Sequence, residues 1–351
     1  MNRKYRLLFL FVLVSNTILA CDLCSVYIGI QPQDFKSSFG LRYRYRLFES
    51  NYTLTSVNNT YKSTPTARLA SSNGATINHG DEHVTGVSEN ETYIYAEQYN
   101  SVDLVLNLFF GKKFSLLLSN SFSDNYVYRK DSLIDNISGF GDFSVIANYR
   151  LINTKIGSDS LAKNKLMHRL TVGTGVELPT GSYNKQSVVG YETTFSPSTI
   201  IGKPKFELDP HLQAGTGSIN YIFMLEYLVK MNRLGLSTNI SYKMFTENSN
   251  HFKFANRYNF NSSLFYLIKF NEKVKMLPYL GVNYEMSYYD NNNGLDVLNS
   301  GGEAIFFSGG LNFFIKNIGI DFTYFKPIYQ NLFGYQPSNK TRIIAQLTYY
   351  F

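Results

Sequence analysis

Arg342-Ile343-Ile344-Ala345-Gln346-Leu347-Thr348-Tyr349-Tyr350-Phe351 closes the chain, and its alternation decides how the other segments are read. Ile343, Ala345, Leu347, Tyr349 and Phe351 share one face; Arg342, Gln346 and Thr348 share the other. A period of two, apolar on one side and wet on the other, belongs to a half-buried strand. An edge strand of a soluble sandwich and a membrane-spanning strand of a barrel both satisfy it, so the rest of the chain has to choose.

Composition favours the barrel. Of 351 residues, 44% are hydrophobic and 17% charged, with 28 Tyr, 28 Phe and 9 Pro, too aromatic and too weakly charged for a disordered chain. Mean hydropathy is -0.17, too low for a bundle of membrane helices. Beyond residue 20, no apolar run approaches the ~18 residues that a spanning helix needs. A barrel hides its membrane character, because inward-facing residues dilute the hydropathy. The net charge of +7 could suggest a nucleic-acid partner, but the cationic residues are dispersed along the sequence, which argues against one.

The first residues read as an export signal. Arg3, Lys4 and Arg6 precede the apolar run Leu7 to Val14, and Ser15 to Ala20 lead to Cys21, so 1–20 is expected to be a signal peptide. Cys21-Asp22-Leu23-Cys24 opens a lead-in over 21–37 that faces an oxidising compartment. Three readings of the pair stay open. Cys21 could be acylated, since Ile18-Leu19-Ala20-Cys21 approximates a lipobox; the two thiols could form a disulfide; or Cys21 and Cys24 could bind a soft metal. Two thiols do not complete a four-ligand zinc site, so no cofactor is expected.

Taken in order, the segments repeat the alternation. From Ser38 to Phe48, Phe39, Leu41, Tyr43, Tyr45 and Leu47 alternate with Arg42, Arg44 and Arg46. Such a row of guanidinium groups cannot face hydrocarbon at midplane, where each costs roughly 2–4 kcal/mol. It looks into a lumen or across a soluble surface. From Tyr93 to Phe110, Val102, Leu104, Leu106, Leu108 and Phe110 fall outward and Asp103 and Asn107 inward; Phe114 to Tyr126 follows, then an acidic, polar loop reaching Ser138. Phe143 to Leu151 turns Arg150 inward, and His168 to Leu178 turns Arg169 and Glu177 inward. Gly173 and Gly175 on that same face imply close approach from inside, or sheet curvature. The remaining strands place Glu226, Lys243, Arg257, Glu285, Asp321 and Arg342 in the interior.

Connection lengths argue in the same direction. Asn51 to Asn90 and Pro179 to Gly215 are long polar loops, whereas Gly111-Lys112-Lys113, Met231-Asn232-Arg233, Asn271-Glu272-Lys273 and Asn317 are tight. Counted from a periplasmic N-terminus, long and tight connections alternate, as short periplasmic turns and longer external loops do. The expected fold is all-β, a transmembrane antiparallel up-and-down β-barrel of about 12 strands over 38–351, closed so that no edge is left unpaired in the membrane. Its last strand resembles the closing strand of outer-membrane barrels, whose terminal aromatic is read by the barrel assembly machinery. Outer-membrane lipid and that machinery are the expected partners. His79-Gly80-Asp81-Glu82-His83 lies in the first long loop, and its spacing matches no metal motif.

Four short segments carry a family resemblance. Val172 to Gly181, with Pro179 and Gly181, and His211-Leu212-Gln213-Ala214-Gly215-Thr216-Gly217-Ser218 resemble two signature segments of the transporter-like family named for the meta-pathway of phenol degradation. Gly139-Phe140-Gly141-Asp142 is similar to its GxGD element, and Pro327 to Gly334 to its closing hairpin. Cys21 to Cys24 followed by Leu41 to Tyr45 resembles a branch with a cysteine-rich mature N-terminus. Ala214 departs from the family's proline at that place. The resemblance implies an outer-membrane barrel related to channels for hydrophobic compounds.

Function is therefore expected to be passive passage of a small, unidentified solute past a wall bearing Arg42, Arg44, Arg46, Arg150, Arg169, Lys243, Arg257 and Arg342 against Asp103, Glu177, Glu226, Glu285 and Asp321. The bland alternative is an ion-paired core that only holds the barrel in shape. A periplasm-facing metal-binding or structural envelope protein using Cys21 and Cys24 is a further class. An outer-membrane lipase needs Ser and His within hydrogen-bond reach; only His168 lies squarely on an expected strand, and no His-Ser-Asn run is present, so no catalytic residue is assigned.

Overall fold

The computed structural model describes residues 35–53, 55–57, 60–62, 92–154, 166–185 and 209–351. The wall is a closed antiparallel sheet of twelve strands. They are β1 Ser38–Thr53, β2 Thr92–Phe110, β3 Phe114–Arg129, β4 in two pieces (Ser132–Phe140 and Phe143–Asn153), β5 Leu166–Leu178 and β6 Asn220–Met231. After them come β7 Leu234–Met244, β8 Arg257–Tyr266, β9 Val274–Ser287, β10 Gly302–Ile315, β11 Ile318–Leu332 and β12 Ser338–Tyr350.

Closure is made by the stretch that opened the reading. β1 pairs with β2 on one side and β12 on the other, so Leu41 lies between Leu104 and Leu347. Phe351 N–H donates to the Ser37 carbonyl at 2.9 Å, one bond beyond the ladder. Among the described residues, each of the twelve strands is paired on both sides over at least part of its length, as a strand that stands in lipid must be.

Alternation sorts the side chains. Phe39, Leu41, Tyr43, Leu104, Leu225, Leu280, Phe322 and Leu347 are exposed on the outside, whereas the residues between them are buried inside the barrel. Aromatic pairs sit toward the strand ends: Phe110 with Phe114 at a tight turn, and Phe122 with Phe140 and Tyr242 with Tyr258 toward the looped end. This is the apolar band with aromatic girdles that a bilayer selects.

Two expectations are corrected. The stretch expected to be an acidic loop reaching Ser138 is strand, because β3 continues to Arg129 and β4 begins at Ser132. Only Lys130 and Asp131 turn, with φ of 48° and 62°. Inward Val127 and Ile137 pack on Phe48, Tyr95, Tyr99 and Leu212, while Asp124 and Asn136 bond each other on the outer face, so the polar residues that suggested a loop are the solvated side of a hairpin. For the same reason external connections are not uniformly long; Lys130–Asp131 and 333–337 are as short as the periplasmic turns. The strands themselves carry the chain outward.

The interior is filled rather than open. Met167, Leu228, Phe265, Leu277, Tyr279, Phe314 and Tyr350 form an apolar floor toward the short turns. Val105, Leu117, Ile146, Ile222 and Met224 form a second apolar patch above it. Inward apolar layers were absent from the sequence reading, which followed the charges. A barrel this narrow fills its own cross-section with side chains, and apolar ones pack there as in any core.

Candidate functional site

The inward charges meet in compact groups. Asp103 on β2 accepts from Arg42 Nε at 2.7 Å and Arg44 Nη2 at 2.8 Å, both from β1. Arg169 donates to Glu226 at 2.6 Å, and Arg342 to Glu285 at 2.7 Å. Lys243 pairs with Glu177, which also accepts from Ser144 and Asn220. The other cations lie on rings: Arg46 over Tyr99, Arg257 over Phe245, and Arg150 between Phe35 and Phe109 with its guanidinium 4.7 Å from each. Asp321 accepts from Thr323 at 3.2 Å and Tyr279 at 3.3 Å. Each group joins strands that are neighbours or a short chord apart, and two-residue spacing is what delivers the partners to one face.

Between these groups runs a band of amides and hydroxyls. Asn261 bonds Asn283, and Asn283 bonds Ser308 at 2.8 Å. Beside them a cavity of about 50 Å³ is lined by Arg44, Asn239, Ser241, Asn283, Glu285 and Arg342 among others. Asn239 Nδ2, Asn107 Oδ1, Asn148 Oδ1 and Asn312 Nδ2 are buried and make no hydrogen bond to the protein.

The glycine-rich segments converge on one knot. β4 breaks at Gly141-Asp142, and only its lower piece pairs with β5; along the upper piece, described residues of the β5–β6 connection cover the edge. Ser182 N–H donates to the Phe140 carbonyl, and Gly215 N–H to the Ser182 carbonyl, both at 2.9 Å. Asp142 holds both arms of the loop, accepting from Gly181 N–H at 2.8 Å, Thr216 N–H at 2.7 Å and Thr216 Oγ1 at 2.6 Å. A Cβ on Gly181 would lie 2.7 Å from the Gly141 carbonyl carbon, and one on Gly215 would lie 2.7 Å from Gly181. The backbones touch, so only glycine fits. Gly217 has φ of +70° and packs on Tyr183, while Gln213 exchanges hydrogen bonds with the Lys185 backbone. Gly139 packs against Ser182, and Pro179 stays exposed at the loop's start.

From the knot the loop crosses the external mouth. Leu212 is buried in the cluster of Phe48 and Tyr99, and Asn125 donates to its carbonyl. His211 Nε2 lies 2.5 Å from Asp290 Oδ2, and its ring meets Phe254 edge-on. Asp290 also accepts from Ala255 N–H at 2.8 Å, so one carboxylate ties together three external connections. Burial pushes the Asp290 carboxyl up, but His211, Arg257 and the Ala255 N–H outweigh it and hold it below the usual range. Sequence reasoning missed Asp290; an isolated loop aspartate carries no periodic signal.

His168 Nδ1 lies 2.6 Å from the Tyr227 hydroxyl and meets no serine. Gly173 lies against Met224 and Asn148, which accounts for the close approach that its face implied. Cys21, Cys24, His79 and His83 lie outside the described residues, as does the expected signal peptide. Among the described residues, no group of His, Cys, Asp and Glu could hold a metal ion.

No protein-family model matches the chain, and no curated protein does. Among solved structures, an outer membrane channel from Pseudomonas putida aligns with 94% of this chain and 100% of its own, at a TM-score of 0.54 and 11% identity. The fold is that of an outer-membrane β-barrel. The barrel also aligns over 91% of its length with the β domain of the Bordetella autotransporter BrkA, all of which is covered, at a TM-score of 0.43 and 8% identity. In a barrel of this fold the outward aliphatic and aromatic face is the one that meets lipid.

Proposed function

We propose that the barrel is a passive channel for a small solute. The observation that carries this is a set of buried amide atoms that make no hydrogen bond to the protein, Asn107 Oδ1, Asn148 Oδ1, Asn239 Nδ2 and Asn312 Nδ2, distributed over β2, β4, β7 and β10. A buried amide needs a hydrogen bond, and these are turned toward the interior, so the column between the ion pairs is hydrated. An interior built only for stability would pair or replace such groups. The solute is small, because the cavity beside the charged clusters measures only about 50 Å³ and described residues of the β5–β6 loop cross the external mouth.

The likeness to the Pseudomonas putida channel supports the same reading, and the family resemblance suggests a solute with a hydrophobic portion. The inward patches around Met224 and Phe314 offer it apolar contact. The closing strand, with Phe351 exposed at its end, is the segment that the assembly machinery would read. Planar-bilayer recording and liposome swelling of the purified barrel test the channel: small, discrete conductance steps are expected, and the absence of both conductance and solute flux rules it out.

A further inference from the structure

The mouth at the short-turn end carries an excess of positive charge. There the β8–β9 turn, the β10–β11 turn and the residues ahead of β1 surround a cavity of about 230 Å³ lined by Lys36, Lys273, Lys275 and Lys316, with Glu272, Asn317 and the ring of Phe314. Lys275 and Phe314 are register partners on β9 and β10, and Lys275 shares the inward parity of Leu277 and Tyr279. Lys36 Nζ donates to the Asn317 side chain at 3.0 Å, which draws the lead-in against the turn. Glu272 pairs with Lys269 at 2.8 Å, so the acidic group in the lining is matched by a further lysine. Lys112, Lys113 and Arg233 on the neighbouring turns extend the same sign.

The opposite rim differs. There Glu49 lies near Lys340, Glu247 holds His251, and Asp131 follows Lys130, so acidic and basic groups alternate. A marked positive excess is thus a property of one mouth and not of the surface at large. Cations gathered in a concavity that is backed by an apolar floor focus their field on the space between them and concentrate anions there. Lysine ammonium groups serve as point-charge ligands for phosphate. The space greatly exceeds the ~10–15 Å³ that admits one water, so a tetrahedral oxyanion and part of its ester fit.

We propose that this mouth is an oxyanion-binding vestibule that takes a phosphate group, free or as the headgroup of an anionic lipid, between Lys36, Lys273, Lys275 and Lys316. It concerns the mouth alone and stands whether or not the lumen conducts.

Inorganic phosphate is titrated calorimetrically against the purified full chain in detergent, with chloride holding the ionic strength constant. Saturable binding is expected, weakened at least tenfold in Lys273→Gln/Lys316→Gln and unchanged in Lys340→Gln at the other rim. Both turn lysines are exposed, and heat-modifiable gel mobility reports that each variant is folded; Lys273→Gln alone, with an intermediate loss, serves if the double variant is not. Native mass spectrometry from nanodiscs then separates the sources. Phosphatidylglycerol retained by the parent, lost in the double variant and displaced by phosphate identifies a lipid headgroup, whereas phosphate bound in purely phosphatidylcholine discs with no such retention identifies a soluble phosphate. Heat that follows ionic strength alone, or equal binding by parent and variants, overturns the site.

Discussion

Arg342 on the closing strand reaches past β10 and β11 to Glu285 on β9, placing Nη1 2.7 Å from one carboxylate oxygen and 2.8 Å from the other. The same guanidinium donates from Nη2 to Asn339 at 2.6 Å and lies 4.1 Å over the Phe306 ring. One side chain therefore braces the closing strand against β9 and β10. Arg342→Met leaves Glu285 buried without its cation and is expected to cost about 3–5 kcal/mol. Arg342→Met/Glu285→Met should recover most of it, because both desolvated charges are gone. Urea unfolding of the lipid-reconstituted barrel reads the cycle, and a double variant whose loss is the plain sum of the two singles removes the coupling.

Asp103 sets one negative charge between two guanidinium groups, so Asp103→Asn raises the net positive charge beside Arg42 and Arg44 by one on that stretch of the wall. In a conducting lumen, that shifts the permeability ratio toward anions. Reversal potentials in a potassium chloride gradient should move in the anion-selective direction for Asp103→Asn and the opposite way for Arg44→Gln. Identical potentials for both variants and the parent would show that ions do not pass this point.

The contact of Gly181 with Gly215 leaves no space for a methyl group, because what a Cβ would meet is backbone. Gly215→Ala is expected to pull the loop from the Asp142 carboxylate, giving larger or noisier conductance and faster proteolysis within 179–219. Gly309→Ala is the control, since its Cβ would meet only the end of the Leu280 side chain at 3.3 Å. Equal protease resistance in the two variants counts against the knot.

The tie between His211 and Asp290 sets a pH dependence at the external mouth. With its folded pKa held below the ordinary 3.8, Asp290 contributes stability that is fully present above that value and is lost as pH falls through the lower, folded one. The external loops should therefore loosen in acid below about pH 4, read as rising proteolysis of the β5–β6 and β9–β10 connections by an acid-active protease. Asp290→Asn should show that looseness already at neutral pH and lose the acid step. A step that persists in Asp290→Asn assigns it to another group.

Much of this was legible because a strand's side-chain period is two and lipid punishes any error in it. Arg42, Arg44 and Arg46 sort the faces of β1, and once one strand is sorted, register sorts its neighbours. Where the period ran through polar residues the reading failed: Asp124 and Asn136 resemble loop composition, yet they occupy the outer face of a hairpin whose inner face packs into the core. The apolar floor escaped for a related reason, since Leu228 and Phe314 carry no mark distinguishing an inward from an outward apolar side chain.

From the residues alone came the closed barrel and the inward placement of Arg42, Asp103, Arg169, Glu226 and Arg342, both consequences of local alternation against an apolar solvent. Only the folded chain decided which charge meets which: that Arg342 takes Glu285 across two strands, that Asp142 gathers Gly181 and Thr216, and that His211 finds Asp290 79 residues away. Shear and tilt set those encounters, and they depend on how the whole sheet closes, a quantity no single segment contains.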